Sequence, residues 1–480
     1  MILVPSRPQL SSGNNYLTMN KLQIILAFTL SLLVASCGDW SKPTTPAGGG
    51  TKPNTNGGTN PTTGGGGTNP TTGGGGGTKP TTGGGGGTNP TTGGGGTNPT
   101  TGGGSGNGNT TDVTIKGSYN VAVLLPFYTD KFVETDATLY NKSTFALDYY
   151  AGTQLGLEQL RAEGIKLNVS ILDSKKGIFT TLLDRPEVRN ADVVIGPAER
   201  DNIAAANQYS LANSKTLVSM YYPSGDLDQH NPNFVQINPS LQAHCEALVR
   251  DAYIQNPSAN ITLVCRAKDG ESERFQFLQN AYAVASGNAT RRLTELPIAD
   301  ETATLATTDL APYLIKGQTN IFILPTWNET FCQAFLRKVE AQRKGAKVII
   351  YGMPQWAEFN NIVPEQFAAL NVHISTTHYA PTDDIAFREF KRLFFERYGK
   401  APSEDAILGF DVVIYTGRML QKHGSNFASK ADMDTYTGIT HRIRIKPVGK
   451  PGAANERRSA MKYENKEVFI LKFKDYKFQE

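Results

Sequence analysis

Between residues 51 and 104 the chain repeats one unit, Thr-(Asn or Lys)-Pro-Thr-Thr followed by a run of glycines, with prolines at Pro61, Pro70, Pro80, Pro90 and Pro99. No apolar residue recurs in the unit, so stacked copies would have no core to share and a solenoid is excluded. Glycine does not fall at every third position, which excludes a collagen helix. Glycine-rich sequence of this kind behaves as flexible coil that isolated prolines stiffen only locally. Residues 38–111 therefore read as a disordered Gly/Thr/Pro/Asn tether. Over about 70 residues its root-mean-square span is on the order of 45–50 Å and its full extension ~230 Å. Whatever folds must lie outside it.

Ahead of the tether, Lys21 precedes an almost entirely apolar run over residues 22–33, and Val34-Ala35-Ser36 places small residues directly before Cys37. The run is shorter than the ~20 residues a membrane-spanning helix needs, and it ends at a small-residue processing site, so it reads as a signal peptide. Its end resembles the lipobox of bacterial lipoproteins, which implies lipidation of Cys37 and a membrane anchor through the N-terminal lipid. Residues 1–18 lack such a pattern, and the expected start is Met19. Gly38, with no aspartate at that position, resembles lipoproteins sorted to the outer membrane, so the expected place of the globular part is the periplasm, with the outer membrane favoured over the inner.

From residue 112 to 480 the composition is that of a globular protein. Such a length exceeds what one core supports, and two lobes are expected. The 47 Lys and Arg are interspersed with 43 Asp and Glu, a balance that gives no basis for nucleic-acid binding. Besides Cys37 there are three cysteines, an odd number for an exported chain. Cys265 ends a predicted strand and Cys332 opens a predicted helix, which leaves two readings, a Cys265–Cys332 disulfide or buried free thiols. No cysteine pair has metal-ligand spacing.

Strand and helix alternate through this region, the pattern of mostly parallel sheets. Residues 121–125 are a continuous apolar run, as in a strand covered on both faces, stopped by Pro126. A helix over 143–163 follows, capped by Ser143 or Thr144, with Gly152 and Gly156 placed to lie close against the sheet. Further strands over 167–172 and 192–195 end at Asp173 and at Gly196-Pro197, and a helix over 202–212 leads to Leu217-Val218-Ser219-Met220. A second set begins after residue 239, with helices over 242–253 and 274–285 and strands over 261–265, 321–325 and 348–351. A helix starting at Asp383 or Asp384 carries Phe387, Phe390, Phe394 and Tyr398 on one face and stops at Gly399. Another helix spans 403–423. Two alternating stretches, 442–445 and 468–473, read as an antiparallel pair ending the chain. Ligands of open parallel sheets bind beyond the carboxyl ends of the strands. That rule points to Phe127 and Tyr128, to Gly196, Pro197 and Ala198, to Ser219, Tyr221 and Tyr222, and in the second set to Asp269, Trp327, Met353 and Trp356.

This order of parts resembles the type I periplasmic binding proteins, the fold of amino-acid-binding components of ABC importers. The resemblance is carried by residues 121–127, by the helix holding Gly152, by Asp192-Val193-Val194-Ile195-Gly196-Pro197, and by Tyr398-Gly399, Pro402 and Gly409-Phe410-Asp411. It implies an α/β, two-lobed type I periplasmic binding protein fold, each lobe a mostly parallel sheet flanked by helices. The lobes would be 115–237 with 380–424 and 241–373 with 437–480, joined by three hinge crossings near 236–240, 374–381 and 424–437. Tyr351-Gly352-Met353-Pro354-Gln355-Trp356 and residues 465–471 resemble a lipoprotein subgroup related to LysM-containing members, although no LysM pattern is present.

Family ligands are small polar molecules, commonly amino acids, whose carboxylate meets hydroxyls and N–H groups at a helix N-terminus. Here Ala198 stands where many such binders present Ser or Thr, and Glu199 adds negative charge; Ser219 matches the second hydroxyl position better. Phe127, Tyr128, Tyr221, Tyr222, Trp327 and Trp356 are candidates to stack on a ligand, Asp269 and Glu271 to hold an ammonium group, and Asn238 to contact it.

Enzymatic readings find no support. Ile195-Gly196-Pro197-Ala198 lacks a nucleophile-elbow serine, no phosphate-binding Gly-rich loop with Lys and Ser or Thr occurs, and His373 and His378, taken as one strand, face opposite sides. No catalytic residue, metal or cofactor is expected. Two readings stand. In one, the domain closes on a small polar ligand, amino-acid-like or a cell-wall fragment, to deliver or sense it. In the other, it is a tethered scaffold that regulates peptidoglycan synthesis or envelope assembly through contact with a protein or peptidoglycan partner.

Overall fold

A computed structural model describes residues 115–132, 140–220, 230–266, 271–298, 303–449 and 460–480. Cys37, Tyr221, Tyr222 and Asp269 lie outside them, as does the whole tether.

The chain enters on β1 (Tyr119–Leu125). Its apolar run serves two cores at once: Val121, Val123 and Leu125 face one cluster, and Ala122 and Leu124 face another on the opposite side of the sheet. Next come α1 (Thr144–Ala162), β2 (Leu167–Asp173), β3 (Val193–Ile195), α2 (Arg200–Ala212), β4 (Thr216–Ser219) and β5 (Phe234–Gln236), with all five strands parallel. A second sheet is built from α3 (Leu241–Gln255), β6 (Asn260–Arg266), α4 (Ser272–Ala285), β7 (Thr294–Ile298), β8 (Thr319–Ile323), α5 (Glu329–Gln342), β9 (Lys347–Gly352) and β10 (Val372–Thr376), again with parallel pairing throughout. The chain then returns to the first sheet through α6 (Ile385–Tyr398), α7 (Glu404–His423), β11 (Thr435–Thr437), β12 (Arg442–Gly449) and β13 (Ala460–Asn465). It finishes on the second sheet with β14 (Phe469–Lys474) and β15 (Lys477–Gln479). The strand orders are β11-β12-β13-β5-β4-β3-β1-β2 and β15-β14-β10-β9-β8-β6-β7.

Two sequence expectations are corrected by this order. Residues 442–445 and 468–473 do not pair with each other: β12 pairs with β11 and β13, whereas β14 pairs with β10 and β15. Ile443, Ile445 and Tyr463 pack into the first lobe's core, so 435–465 sits with the first sheet, where sequence reading puts 437–480 in the second lobe. For the same reason the third crossing is residues 466–468, and not 424–437. The other two crossings are residues 237–240 and 377–384, near their expected places.

Gly152 and Gly156 also act differently from expectation, since they face α7. A Cβ on Gly152 would lie 1.7 Å from Ala406 O, and one on Gly409 would lie 2.1 Å from Tyr149 O. α1 and α7 thus cross with backbone nearly touching backbone, an approach only glycine permits.

The crossings fix which edges face the hinge. β5 and β13 are parallel neighbours that leave the first sheet at their carboxyl ends. β10 leaves the second sheet at its carboxyl end, and β14, antiparallel to β10, enters there. All three crossings therefore join the carboxyl edges of the two sheets. Glu464 ties two of them together, accepting from Ser240 N at 3.1 Å and pairing with Lys466 at 3.3 Å.

Candidate functional site

The carboxyl edge of the first sheet is organised by Asp173, the last residue of β2. Its carboxylate accepts from the N–H groups of Phe127 (3.0 Å), Tyr128 (3.2 Å), Thr129 (2.8 Å) and Lys175 (3.0 Å), and from the Thr129 hydroxyl (2.8 Å). Four of these five donors come from the β1 loop and hold it in a single shape, with Tyr128 in the left-handed region at φ 53°. Ser143, expected as a helix cap, instead donates its hydroxyl to Phe127 O at 2.6 Å. Phe127 lies edge-on to Tyr150 at 6.3 Å, and Tyr128 to Tyr140 at 5.1 Å.

Beyond β3, Gly196 has φ +99°, and a Cβ there would lie 2.5 Å from Leu124 O; glycine is required. A cis bond joins it to Pro197. The next side chain of consequence is Glu199, just ahead of α2. One of its carboxylate oxygens accepts from Ser174 Oγ at 2.7 Å, with Lys175 Nζ 3.7 Å away. The other is buried without a hydrogen-bond partner among the described residues. Burial first, and then the negative charge of Glu199, push the Tyr128 hydroxyl above its usual range.

On the second sheet, Trp327 follows β8 and stays 46% exposed, with the Arg274 guanidinium 3.8 Å over its ring. Beneath it lies a buried polar knot. Thr326 Oγ1 donates to Glu271 Oε1 at 3.0 Å and accepts from Arg266 Nη1 at 3.3 Å, while Arg266 and Arg274 sit 3.5 and 3.7 Å from the same Glu271 oxygen. Glu271 Oε1 thus faces two arginines, while Oε2 is buried with no hydrogen-bond partner among the described residues; two cations already stand at the carboxylate expected to hold a ligand ammonium.

Three other candidates are corrected by burial. Ser219 and Trp356 are 0% exposed and Met353 is 1% exposed. Trp356 donates its indole N–H to Thr326 O at 2.8 Å and stacks against Phe359 at 5.7 Å; it supports the Trp327 loop from below. Gly196, Pro197 and Ala198 are buried and shape the β3 loop, while Asn238 is half-buried, its carbonyl accepting from Gln236 Nε2 at 2.8 Å. Phe127 and Tyr128 are half-buried at the edge, and with Trp327 they are the aromatic candidates that keep accessible side chains among the described residues.

Cys245, Cys265 and Cys332 are free, which settles the disulfide alternative against a Cys265–Cys332 bridge. The two sulfurs turn to separate backbone carbonyls, Leu263 O at 3.7 Å and Thr326 O at 3.9 Å. Burial pushes the Cys265 thiol up to about 12 and holds Cys332 well above the usual thiol range.

The second crossing is anchored by a group that sequence reading gave no role. Asp411, fully buried in α7, accepts from the N–H groups of Ile439 (2.7 Å), Thr440 (3.2 Å) and His441 (3.2 Å), and lies 2.9 Å from His441 Nδ1. That turn in turn accepts the crossing: Tyr379 N donates to Thr440 O at 2.8 Å, and His378, which falls past β10, bridges to His441.

No family model and no curated protein matches the sequence. Solved structures do match. A putative branched-chain amino acid ABC transporter protein from Rhodospirillum rubrum aligns at TM-score 0.54 and 15% identity, covering 75% of this chain and 98% of that one. An ABC transporter substrate-binding protein from Desulfitobacterium hafniense aligns at TM-score 0.50 and 16% identity, covering 75% and 99%. The chain has the two-lobed type I periplasmic binding protein fold. At these identities the likeness is one of fold. Within it, the carboxyl edges just described are where the fold's two sheets meet their hinge. The C-domain of LpoA (YraM) from Haemophilus influenzae, a regulator of PBP1A, aligns at TM-score 0.48 and 10% identity, covering 75% and 98%.

Proposed function

We propose that this chain is a lipid-anchored protein of the bacterial cell envelope whose two lobes close on a small polar, amine-bearing ligand at the carboxyl edges of their sheets. The observation that carries the reading is Glu199. A buried carboxylate oxygen without a donor costs free energy unless something completes it, and this one sits beside Tyr128 at the edge where ligands of open parallel sheets bind. An ammonium group is a suitable donor, with the Tyr128 ring beside it and Trp327, half exposed with Arg274 over its ring, at the carboxyl edge of the other lobe. Three crossings joining the same edges provide the hinge for closure. Anchoring through Cys37 and a tether over 38–111 would leave the domain free to search tens of ångströms from the membrane.

A second reading is favoured by the burial of Ser219 and by Ala198 in place of a hydroxyl. On it the fold serves as a tethered scaffold for an envelope protein or peptidoglycan partner, and the tether's length supplies reach.

All four apolar clusters lie within residues 119–471, so a 112–480 fragment carries its own cores. A thermal-shift screen of that fragment against amino acids, amines, short peptides, sugars and peptidoglycan fragments tests the proposal. A ligand at a hundred times its Kd adds about 2.7 kcal/mol, which raises the midpoint by roughly 3–4 °C. The expected result is a shift with an amine-bearing compound that is lost in Glu199→Gln and in Trp327→Ala. A ligand that lacks any cation and still binds the Glu199→Gln variant would overturn the amine assignment. No shift from any compound would favour the scaffold.

A further inference from the structure

We propose a second binding site, at the opposite edge of the second lobe, for an organic anion of about sugar size bearing phosphate or several carboxylates. A hollow of about 650 Å³ opens between the loop that leads into β8 and the loop between α5 and β9. Its cationic lining is Lys316, Arg343, Lys344 and Lys347, against one carboxylate, Asp309. A smaller hollow of about 290 Å³ shares Gly317, Gln318 and Thr319 with it, so the depression continues across the amino ends of the strands.

The charge is uncompensated. None of the four cations makes an ion pair among the described residues; Arg343 donates to Ala369 O at 2.7 Å, and the Asp309 carboxylate accepts from Ala311 N at 3.0 Å. The carboxyl end of α5 contributes about half a negative charge. Four positive charges, one negative and that partial charge leave about +2.5 within one concavity, a focused field that draws in anions.

The walls are fixed in advance. Asn320, fully buried at the start of β8, accepts from Ile315 N at 2.8 Å and donates to Ile315 O at 3.1 Å, Gln318 O at 3.3 Å and Lys347 O at 3.4 Å. One side chain therefore ties the loop ahead of β8 to the first residue of β9. Surface lysines on floppy loops would gain little from a shared anion, whereas Lys316 and Lys347 are carried by segments that Asn320 braces. The volume falls in the ~300–1,000 Å³ range of sites for organic ligands and exceeds what a bare phosphate fills. Because the hollow lies at the amino ends of β8 and β9, it is independent of the carboxyl-edge site and of the reading given for it.

The test is titration calorimetry of the 112–480 fragment, which carries its own cores and lacks the expected lipid anchor, at low salt with glucose 6-phosphate, citrate, inorganic phosphate and uncharged glucose, alongside sedimentation of the same fragment with vesicles one-third phosphatidylglycerol. Expected are binding of glucose 6-phosphate or citrate at least tenfold tighter than inorganic phosphate, no binding of glucose, and a tenfold or larger loss in a Lys344→Gln, Lys347→Gln double variant of unchanged melting temperature. Vesicle binding lost in the same variant would assign the anion to a lipid headgroup and support the site. The proposal is overturned if glucose 6-phosphate and citrate bind no tighter than inorganic phosphate and the vesicles do not bind, or if the double variant binds every probe as the parent does.

Discussion

Replacing Gly152 with alanine sets two effects of opposite sign against each other. In an exposed helix interior the change stabilises by about 1 kcal/mol, because alanine loses less backbone freedom. In α1 the new Cβ would lie 1.7 Å from Ala406 O, 2.6 Å from Ala406 C and 3.1 Å from Ala406 Cα. A carbon–oxygen contact needs ~3.3 Å or more, so α1 and α7 must part locally by about 1.5 Å. Overpacking that side chains can absorb costs about 1–3 kcal/mol, but here every clashing atom is backbone and no rotamer change relieves it. We expect a net loss of at least about 3 kcal/mol for Gly152→Ala. Gly156→Ala should cost less, about 1 kcal/mol net, because its nearest clash is Val413 Cγ1 at 2.3 Å, a side chain. Urea unfolding of the 112–480 fragment reads the difference. Both of its tryptophans, Trp327 and Trp356, lie in the second lobe, so fluorescence follows that lobe alone while far-UV circular dichroism follows both. A loss of first-lobe stability should pull the dichroism transition to lower urea than the fluorescence transition. A Gly152→Ala protein as stable as the parent, or more so, would refute the close crossing.

Asp411→Ala strands three backbone donors and His441 in the interior, and a loss of about 3–5 kcal/mol is expected in the same assay; a loss under 1 kcal/mol would mean that the turn over 438–441 is held by something else. Burial lowers the imidazoles of His244 and His373 to about 4, below their ordinary 6.5, so the unfolded chain binds more protons between those values and stability falls as pH drops through that window. At pH 5 the loss is on the order of 2 kcal/mol per imidazole relative to pH 7.5, and a His244→Gln, His373→Gln variant should show a flatter stability-against-pH curve; an equally steep curve would refute the assignment. Thiol titration of the denatured fragment should find three free thiols with or without prior reduction, and reductant should leave its melting temperature unchanged. A lower melting temperature on reduction would restore the Cys265–Cys332 bridge.

Local pattern carried much of the fold. The unbroken apolar run at 121–125 gave the doubly covered β1, the spacing of Phe390 and Phe394 gave the buried stripe of α6, and Asp384 and Ser403 start helices as caps, accepting from Phe387 N at 2.7 Å and Ala406 N at 3.3 Å. What failed was non-local. Residues 442–445 and 468–473 alternate alike, and nothing local says that one belongs beside β5 and the other beside β10. The glycines of α1 signalled a close approach, but sequence reading assigned it to the sheet, whereas the partner lies some 250 residues away in α7. The candidate site was legible only as loops, because the rule about strand carboxyl ends names positions and says nothing of burial. Ser219 and Trp356 obey the rule and are buried beneath the surface it defines. Asp173 had a readable signal, an acid at a strand end ahead of a loop needing donors met. Arg274 had none, since only the tertiary arrangement brings a helix residue over Trp327.

Hydrogen exchange of the 112–480 fragment, with and without the compound giving the largest thermal shift, tests the central proposal most directly. Closure on a ligand at the carboxyl edges should slow exchange in the segments 126–129, 196–202 and 326–328 together, in both lobes, and the protection should vanish in Glu199→Gln. Protection confined to 314–319 and 343–347, or no compound that slows exchange at the carboxyl edges, would contradict it.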